Sequence, residues 1–373
     1  MESITARQVT AARPFRFPLT YDECRARFRT STHAAGLSWT AHPISARGPH
    51  GQVLTIDVTT LGDPAAERAV LVLAGVHGDE GFSSSAIMCA AIERWSASPP
   101  TDVRVVFVHG VNPWGMANWR RQNESNVDLN RNWDRDGRDP EPNAGYADLH
   151  HALCPDGAQP PDADSFLAVT RRLIDERGYG WVKAAVTEGQ YTHPDGLYYG
   201  GAHTEESTHL VADIVAERLA GAREVLVVDL HTGHGEFGTY TLLSVAPPGS
   251  ADDAWIRAAF DASCVENTTE PDTTSPPKRG QIALGLHAVV PTARSWRTVT
   301  FELGTVSDTR MILNERAEHW VWHHGDPTDP AYADILWEHR CGSTPDDPDW
   351  EQAALVHGQR TLDDALAAMG SVR

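Results

Sequence analysis

The chain predicts an α/β protein, a three-layer sandwich with a mostly parallel, mixed central sheet. Three observations carry this: short β-branched apolar runs recur along the 373 residues, helix-patterned segments lie between them, and no linker divides the chain. Apolar runs of four to eight residues suit strands covered on both faces, and their alternation with helices suits parallel crossovers. Residues 53–59 and 69–74 read as strands, and a helix is expected over 83–95. Residues 103–108 are another apolar strand, after which Asn112-Pro-Trp-Gly opens a polar loop running past Trp133, long enough to be functional. Helices follow at 164–177 and 205–220, the second with acidic residues in its first turn, where the helix dipole favours them. Residues 225–230 and 299–303 are further strands. Between them 240–245 is expected to pair at a sheet edge, and 271–278, rich in Pro, Thr and Ser, to be irregular. From Thr309 the chain reads as helical, with breaks around 325–330 and 342–348. One domain over 1–373 is expected, with 309–373 as its helical C-terminal extension.

A hydrophobic content of 41% is enough for a sizeable core. Lys+Arg 31 against Asp+Glu 51 leaves a net charge of −20, which repels phosphate backbones and anionic membrane surfaces. Neither nucleic acid nor membrane is therefore expected as a partner. Cys24, Cys89, Cys154, Cys264 and Cys341 are scattered, odd in number and never paired as C-x-x-C, which fits a reducing cytoplasm better than a disulfide framework or a thiolate zinc cluster. Residues 1–29 carry Arg7, Arg13, Arg16, Arg25, Arg27 and Arg29 without an apolar core, and no 18-residue apolar run occurs. A soluble, untargeted protein is expected; its oligomeric state is not legible.

Three segments carry chemistry. Leu71-Val-Leu-Ala-Gly-Val-His77-Gly-Asp-Glu80 puts His-x-x-Glu directly behind a strand, Val227-Val-Asp-Leu-His231 ends a strand on a histidine, and Val299-Thr-Phe-Glu302-Leu embeds a carboxylate in an apolar strand. A catalytic zinc takes three His/Glu ligands and keeps one position open, so three of these groups can hold the ion and the fourth can act as base. The carboxyl ends of strands are where α/β sheets build such sites. Glu302 is alternatively a solvent-facing acid on an edge strand. Between these segments lies Asn126-Val-Asp128-Leu-Asn130-Arg131-Asn132, preceded by Arg120-Arg121; the arginines either grip an anionic substrate or decorate a solvated loop. Gly233-His-Gly235-Glu-Phe-Gly238 matches a dinucleotide fingerprint in form only, since strand-like residues follow it where a helix must. His319 and His323 are one turn apart but lack the Glu of H-E-x-x-H, and no G-x-S-x-G or cysteine signature supports a nucleophile.

Taken together and in this order, the motifs resemble the zinc metallocarboxypeptidase superfamily, with the carboxypeptidase A-like (phosphorylase/hydrolase-like) fold that also includes succinylglutamate desuccinylase and aspartoacylase. Phe17-Pro-Leu-Thr-Tyr-Asp and Gly189-Gln-Tyr-Thr-His-Pro-Asp-Gly-Leu-Tyr-Tyr-Gly-Gly201 are similar to a bacterial branch known mainly as a domain of unknown function, so the likeness reaches to about Arg316. The resemblance implies one zinc ion per chain on His77, Glu80 and His231, Glu302 as general base and acid, and Asp128 orienting a ligand histidine. It further implies that Asn130 and Arg131 hold the substrate's carboxylate and that Arg121 or Arg120 polarises the scissile carbonyl. Arg121 is favoured, with Arg120 as a substrate-binding neighbour. Tyr240 does not match the mobile tyrosine of carboxypeptidase A-like enzymes; Tyr191, Tyr198 or Tyr199 either line the pocket, Tyr198 being counted with the substrate-binding residues, or pack. The expected activity is hydrolysis of an amide next to a free carboxylate, by a metallocarboxypeptidase acting on a small peptide. The alternatives are a deacylase of N-acyl amino acids and a catalytically silent zinc or ligand-binding module.

Overall fold

The structure is a computed structural model and describes residues 17–139, 142–270, 273 and 275–370. Arg7, Arg13 and Arg16, with the rest of 1–16, and positions 271, 272 and 274 of the stretch expected to be irregular, lie outside the described residues.

Among the described residues eight strands form one sheet: β1 Trp39–Arg47, β2 Val53–Gly62, β3 Arg68–Ala74, β4 Val103–His109, β5 Glu224–Thr232, β6 Tyr240–Ser244, β7 Val265–Asn267 and β8 Ser295–Leu303, in the order β1-β2-β4-β3-β5-β8-β6-β7. The centre, β4-β3-β5-β8, is parallel; β1, β2 and β6 pair antiparallel with their inner neighbours, and β6 pairs parallel with β7. The mixed, mostly parallel sheet is thus as expected, with one correction. β6 is not an edge strand, because the three-residue β7 lies outside it. At the other edge β1 escaped the sequence reading because it is largely exposed and carries no apolar run.

Helices cover both faces: α1 Tyr21–Ala34, α2 Gly81–Ser96, α3 Pro113–Asn118, α4 Ala144–Leu153, α5 Ala163–Arg177, α6 Tyr179–Thr187, α7 Glu206–Arg218, α8 Ala251–Ala259, α9 Ile282–Gly285, α10 Asp308–His324, α11 Ala333–Ser343 and α12 Pro348–Met369. Side chains of a strand alternate between faces, so one apolar run serves two cores. Val70, Val72 and Ala74 of β3 pack with Ile87 and Ile92 of α2 and Leu362 and Ala365 of α12. Ala69, Leu71 and Leu73 pack on the opposite face with Val211, Ile214 and Val215 of α7. Both sets are essentially fully buried, which accounts for the unbroken apolar pattern. Among the described residues no helix is long and apolar enough to cross a membrane.

The same alternation selects what reaches the cleft. On β5, Leu226, Val228 and Leu230 face the α2/α12 side, so Asp229 and His231 face the other. On β8, Val299, Phe301 and Leu303 likewise turn to α2/α12, leaving Thr298, Thr300 and Glu302 to line a cavity on the opposite side. Glu302 therefore stands on an interior strand, which removes its reading as an edge-strand acid.

Candidate metal centre and cleft

β3 ends at Ala74, and the following turn delivers His77 and then Glu80 at the position that caps α2. The turn is fastened to the arginine segment by Gly78 N–H to Arg121 O at 3.4 Å and Asp79 N–H to Arg120 O at 3.0 Å. Beside it, β5 ends in His231. His77 Nδ1 lies 2.7 Å from Glu80 Oε1, His231 Nδ1 lies 2.9 Å from Glu80 Oε2, and the two Nδ1 atoms are 3.1 Å apart. Among the described residues His77, Glu80 and His231 form the one group whose donor atoms converge for a metal, all within 4.8 Å of one another, and all three are buried.

The outer nitrogens of both rings meet carboxylates. His231 Nε2 is 2.9 Å from Asp229 Oδ2, within ion-pair distance though off the line of a hydrogen bond. His77 Nε2 has two suitors, Arg121 Nη2 at 2.9 Å and Asp128 Oδ1 at 3.3 Å. Only the carboxylate leaves the His77 Nδ1 lone pair free to face a cation, which is how orienting partners fix the tautomer of metal-binding histidines. Two imidazole nitrogens and one carboxylate form the His₂Glu donor set of catalytic zinc sites, and the residues present fit that ion.

Electrostatics agree with a cation-seeking cluster. Burial opposes charge at Glu80, yet His77 and His231 hold its carboxyl far below the usual range. Burial also pushes His231 and His77 down, but Asp229 and Glu80 raise the first well above its ordinary value, and Glu80 and Asp128 raise the second despite Arg121. The carboxylates around the two rings thus favour positive charge at this place. Burial and then, against it, Arg121 and Arg131 set Asp128, whose carboxyl lies well below its usual range. Glu302 goes the other way. Burial raises its carboxyl and Glu80 adds to this, only partly offset by His231, His234 and Lys278, and its buried Oε2 has no hydrogen-bond partner.

Around these groups a cavity of about 240 Å³ is lined by His77, Glu80, Arg121, Asn130, Arg131, Tyr198 and Glu302. The adjacent arginines part company. Arg121 reaches Asp128 with Nε at 3.0 Å, while Arg120 turns away to Glu318 at 2.7 Å and to Asn126, under the Trp322 ring. Arg120 does not line the cleft, so the substrate-binding place given it from sequence is corrected: a buried ion pair occupies its guanidinium. Asn130 and Arg131 ride a single 3-10 turn begun by Asp128, whose Oδ1 accepts the Asn130 N–H at 2.9 Å. Of the three tyrosines only Tyr198 lines the cavity, with its hydroxyl on Glu315 and its ring under Arg121. Tyr191 donates to Arg131 O at 2.8 Å and Tyr199 joins the α7 core, both as packing groups. Tyr240 stacks on Phe301 and His357, away from the cavity. His319 bonds Asp195 O at 2.6 Å and joins no metal cluster among the described residues, and Gly233–Gly238 leads into β6 rather than a helix.

Three site residues were missed. Asp229 stands two before His231 on the same strand face, a spacing the sequence does display. Lys278 and Glu315 also line the cavity, but their places come from tertiary folding and leave no local signal.

Fold and site define an α/β protein with a buried His-Glu-His cluster at the carboxyl ends of parallel strands. The chain belongs to the family described as "Protein of unknown function (DUF2817)", whose model matches residues 17–357. No curated protein matches it. Solved structures to which it is similar include bovine thrombin-activatable fibrinolysis inhibitor in complex with tick carboxypeptidase inhibitor, at 12% identity over 94% of this chain and 98% of that one, with a TM-score of 0.45. Succinylglutamate desuccinylase from Chromobacterium violaceum is 15% identical over 81% and 77%, with a TM-score of 0.36. Murein-tripeptide amidase from Escherichia coli O157 is 18% identical over 80% and 91%, also with a TM-score of 0.36. At these values they stand as resemblances and no more.

Proposed function

We propose that the protein is a zinc-dependent hydrolase that cleaves an amide bond next to a free carboxylate, most simply as a metallocarboxypeptidase acting on a small peptide or peptide-like substrate. One observation carries this reading: two histidine Nδ1 atoms and a carboxylate converge beside Glu302, whose buried Oε2 has no partner of its own. His77, Glu80 and His231 are the residues that would hold the ion. Zinc bound there activates water and polarises a carbonyl.

The chain's own groups supply the rest. Glu302, with its proton affinity raised by burial, accepts a proton from the attacking water as oxygen bonds to the amide carbon. It returns the proton to the nitrogen as the C–N bond breaks, giving a carboxylate and an amine. Arg121, which lines the same cavity, donates to the oxygen on which negative charge develops. Asp128 and Asp229 hold the two imidazoles in orientation. A deacylase of N-acyl amino acids uses the same groups in the same cavity.

All five cysteines are free thiols, which supports work in a reducing cytoplasm. The charge of −20 supports a small-molecule rather than a nucleic-acid partner. The test is metal analysis of the purified protein joined to mass-spectrometric product identification on peptides and N-acyl amino acids, comparing the parent with His77→Ala. Release of a C-terminal amino acid supports the carboxypeptidase, and release of an acyl carboxylate the deacylase. A protein that binds no zinc, or a Glu302→Gln variant as active as the parent, overturns both.

A further inference from the structure

We propose that Lys278, not Arg131, is the group that receives the substrate's carboxylate. This rests on the hydrolase reading above and adds to it a specificity-determining residue outside the motifs. Arg131 is fully buried, and its guanidinium is committed to the protein's own carbonyls: Nε and Nη2 donate to Thr187 O at 3.2 and 2.7 Å, and Nη1 donates to Asn130 O at 2.8 Å. Its nearest carboxylate, Asp128, is 3.9 Å away and already paired with Arg121. Such an arginine braces the turn that carries Asn130, with three of its five N–H donors spent on the chain's own carbonyls.

Lys278 differs in exposure and in having no carboxylate partner among the described residues. It is half-buried and lines the cavity with Glu302, Asn130 and Arg121. Its ammonium donates to Ser275 Oγ at 2.6 Å and Pro276 O at 3.3 Å, two neutral acceptors for a group with three N–H donors. Among the described residues no carboxylate lies within ion-pair distance of it, whereas the neighbouring Lys183 is 2.9 Å from Asp308. The groups that act on it electrostatically are Arg131, Lys183 and Arg121, which repel the ammonium, and Glu302, which favours it. Burial and these cations bring Lys278 down to about 7. A half-buried cation without a counter-ion is costly, and an anion entering the cleft removes that cost. The lining also has an apolar part, with Phe166 and Ile174 from α5, Val182 and Val186 from α6, and Ile312 from α10. An arylalkyl carboxylate therefore suits the chamber as a probe.

The experiment is isothermal titration of the full chain with 3-phenylpropionate and with its neutral amide, as purified with zinc and again after the zinc has been stripped by a chelator. In the stripped protein the ion cannot be the carboxylate's receptor, and the readout needs no turnover. The parent is expected to prefer the acid in both forms. Lys278→Met weakens acid binding about 10- to 100-fold, as for loss of a hydrogen bond to a charged group, and leaves the amide within about twofold. Lys278→Arg keeps most of the preference and, unlike the parent, keeps it as pH rises from 7 to 9. The assignment is overturned by a parent indifferent to acid or amide, by a folded Lys278→Met that binds the acid as the parent does, or by an Arg131→Lys variant that alone abolishes the preference. Failure of the hydrolase reading is separate, since it is decided by product formation.

Discussion

His231 and Glu302 stand opposite each other in the parallel pairing of β5 and β8. The register makes this more than proximity. Residues opposite each other on adjacent strands point to the same face, so one pairing fixes both the nitrogen proposed as a metal ligand and the carboxyl proposed as the base. A one-residue slip of β8 would send Glu302 to the α2/α12 core and bring Phe301 or Leu303 to the cleft. The eight register partners that precede or follow this pair, from Glu224 with Ser295 to Thr232 with Leu303, hold it in place.

Replacing Glu302 by Gln keeps its shape and removes its ability to carry the proton. The expected result is a fall in kcat of about 10² to 10⁴, the range for loss of a general base, with zinc content unchanged at one per chain. Steady-state kinetics with metal analysis on the same sample separate this from ligand loss. Undiminished kcat in a zinc-loaded Glu302→Gln protein would take the base away from this position.

Asp229 gives the second expectation. Its Oδ2 lies 2.9 Å from His231 Nε2, so Asp229→Asn removes the charge that favours the required tautomer while keeping the volume. Zinc affinity, measured by competition with a chromophoric chelator, should fall about 10- to 100-fold. Equal affinity in the two proteins would show that β5 alone orients the ring.

How much of this was legible follows from where each residue stands. The strands β3, β4 and β5 were readable because both faces are buried, and the proposed ligands because they sit where those runs stop. Asp229 was legible in principle, two positions before His231, yet its strand reads as one apolar run with a single polar interruption. The choice between Arg120 and Arg121 was not legible. They are neighbours in an aperiodic turn, and what separates them is the pairing of their carbonyls with Gly78 and Asp79 across the site. Lys278 lies in a Pro-rich stretch whose route is set by what it packs on, and local sequence carries no trace of that. The exposed β1 lacks the alternation that marks a half-buried strand.

Acid stability has a separate source in His109, at the end of β4. It is buried, hydrogen-bonded to Ser85 Oγ at 2.8 Å and stacked on Phe28 at 4.7 Å, and burial brings it down to about 4, with Asp57 opposing and Arg25 adding to the shift. Between about 4 and the ordinary value near 6.5 the unfolded chain binds the proton and the folded chain does not. Stability therefore rises with pH across that window, and acidification through it costs on the order of 3 kcal/mol. Melting temperatures of parent and His109→Gln, taken from pH 7 to 4 in zinc-free buffer, should converge as pH falls. Two parallel curves would mean that His109 keeps its proton in the fold.

Gly78 tests whether the ligand turn tolerates any movement. A Cβ built there falls 2.1 Å from the Gly115 carbonyl carbon and 2.3 Å from Met116 N, both backbone atoms at the heart of α3 and without a rotamer that could yield. Gly78→Ala must therefore push the turn away from α3, and with it His77 on one side and Glu80 on the other. Zinc bonds are about 2.0–2.2 Å long, so a displacement of even half an ångström spoils the cluster while the distant sheet stays paired. The expected outcome is zinc affinity lowered at least about tenfold together with a lower melting temperature. Gly180 is the control, because it lies within α6 and a Cβ there meets nothing within 4 Å. Gly180→Ala should leave zinc binding alone and stabilise the helix by up to about 1 kcal/mol. A Gly78→Ala protein that binds zinc like the parent would show that α3 can retreat from the turn, and that the close approach of Gly78 to Gly115 is packing without consequence for the ligands.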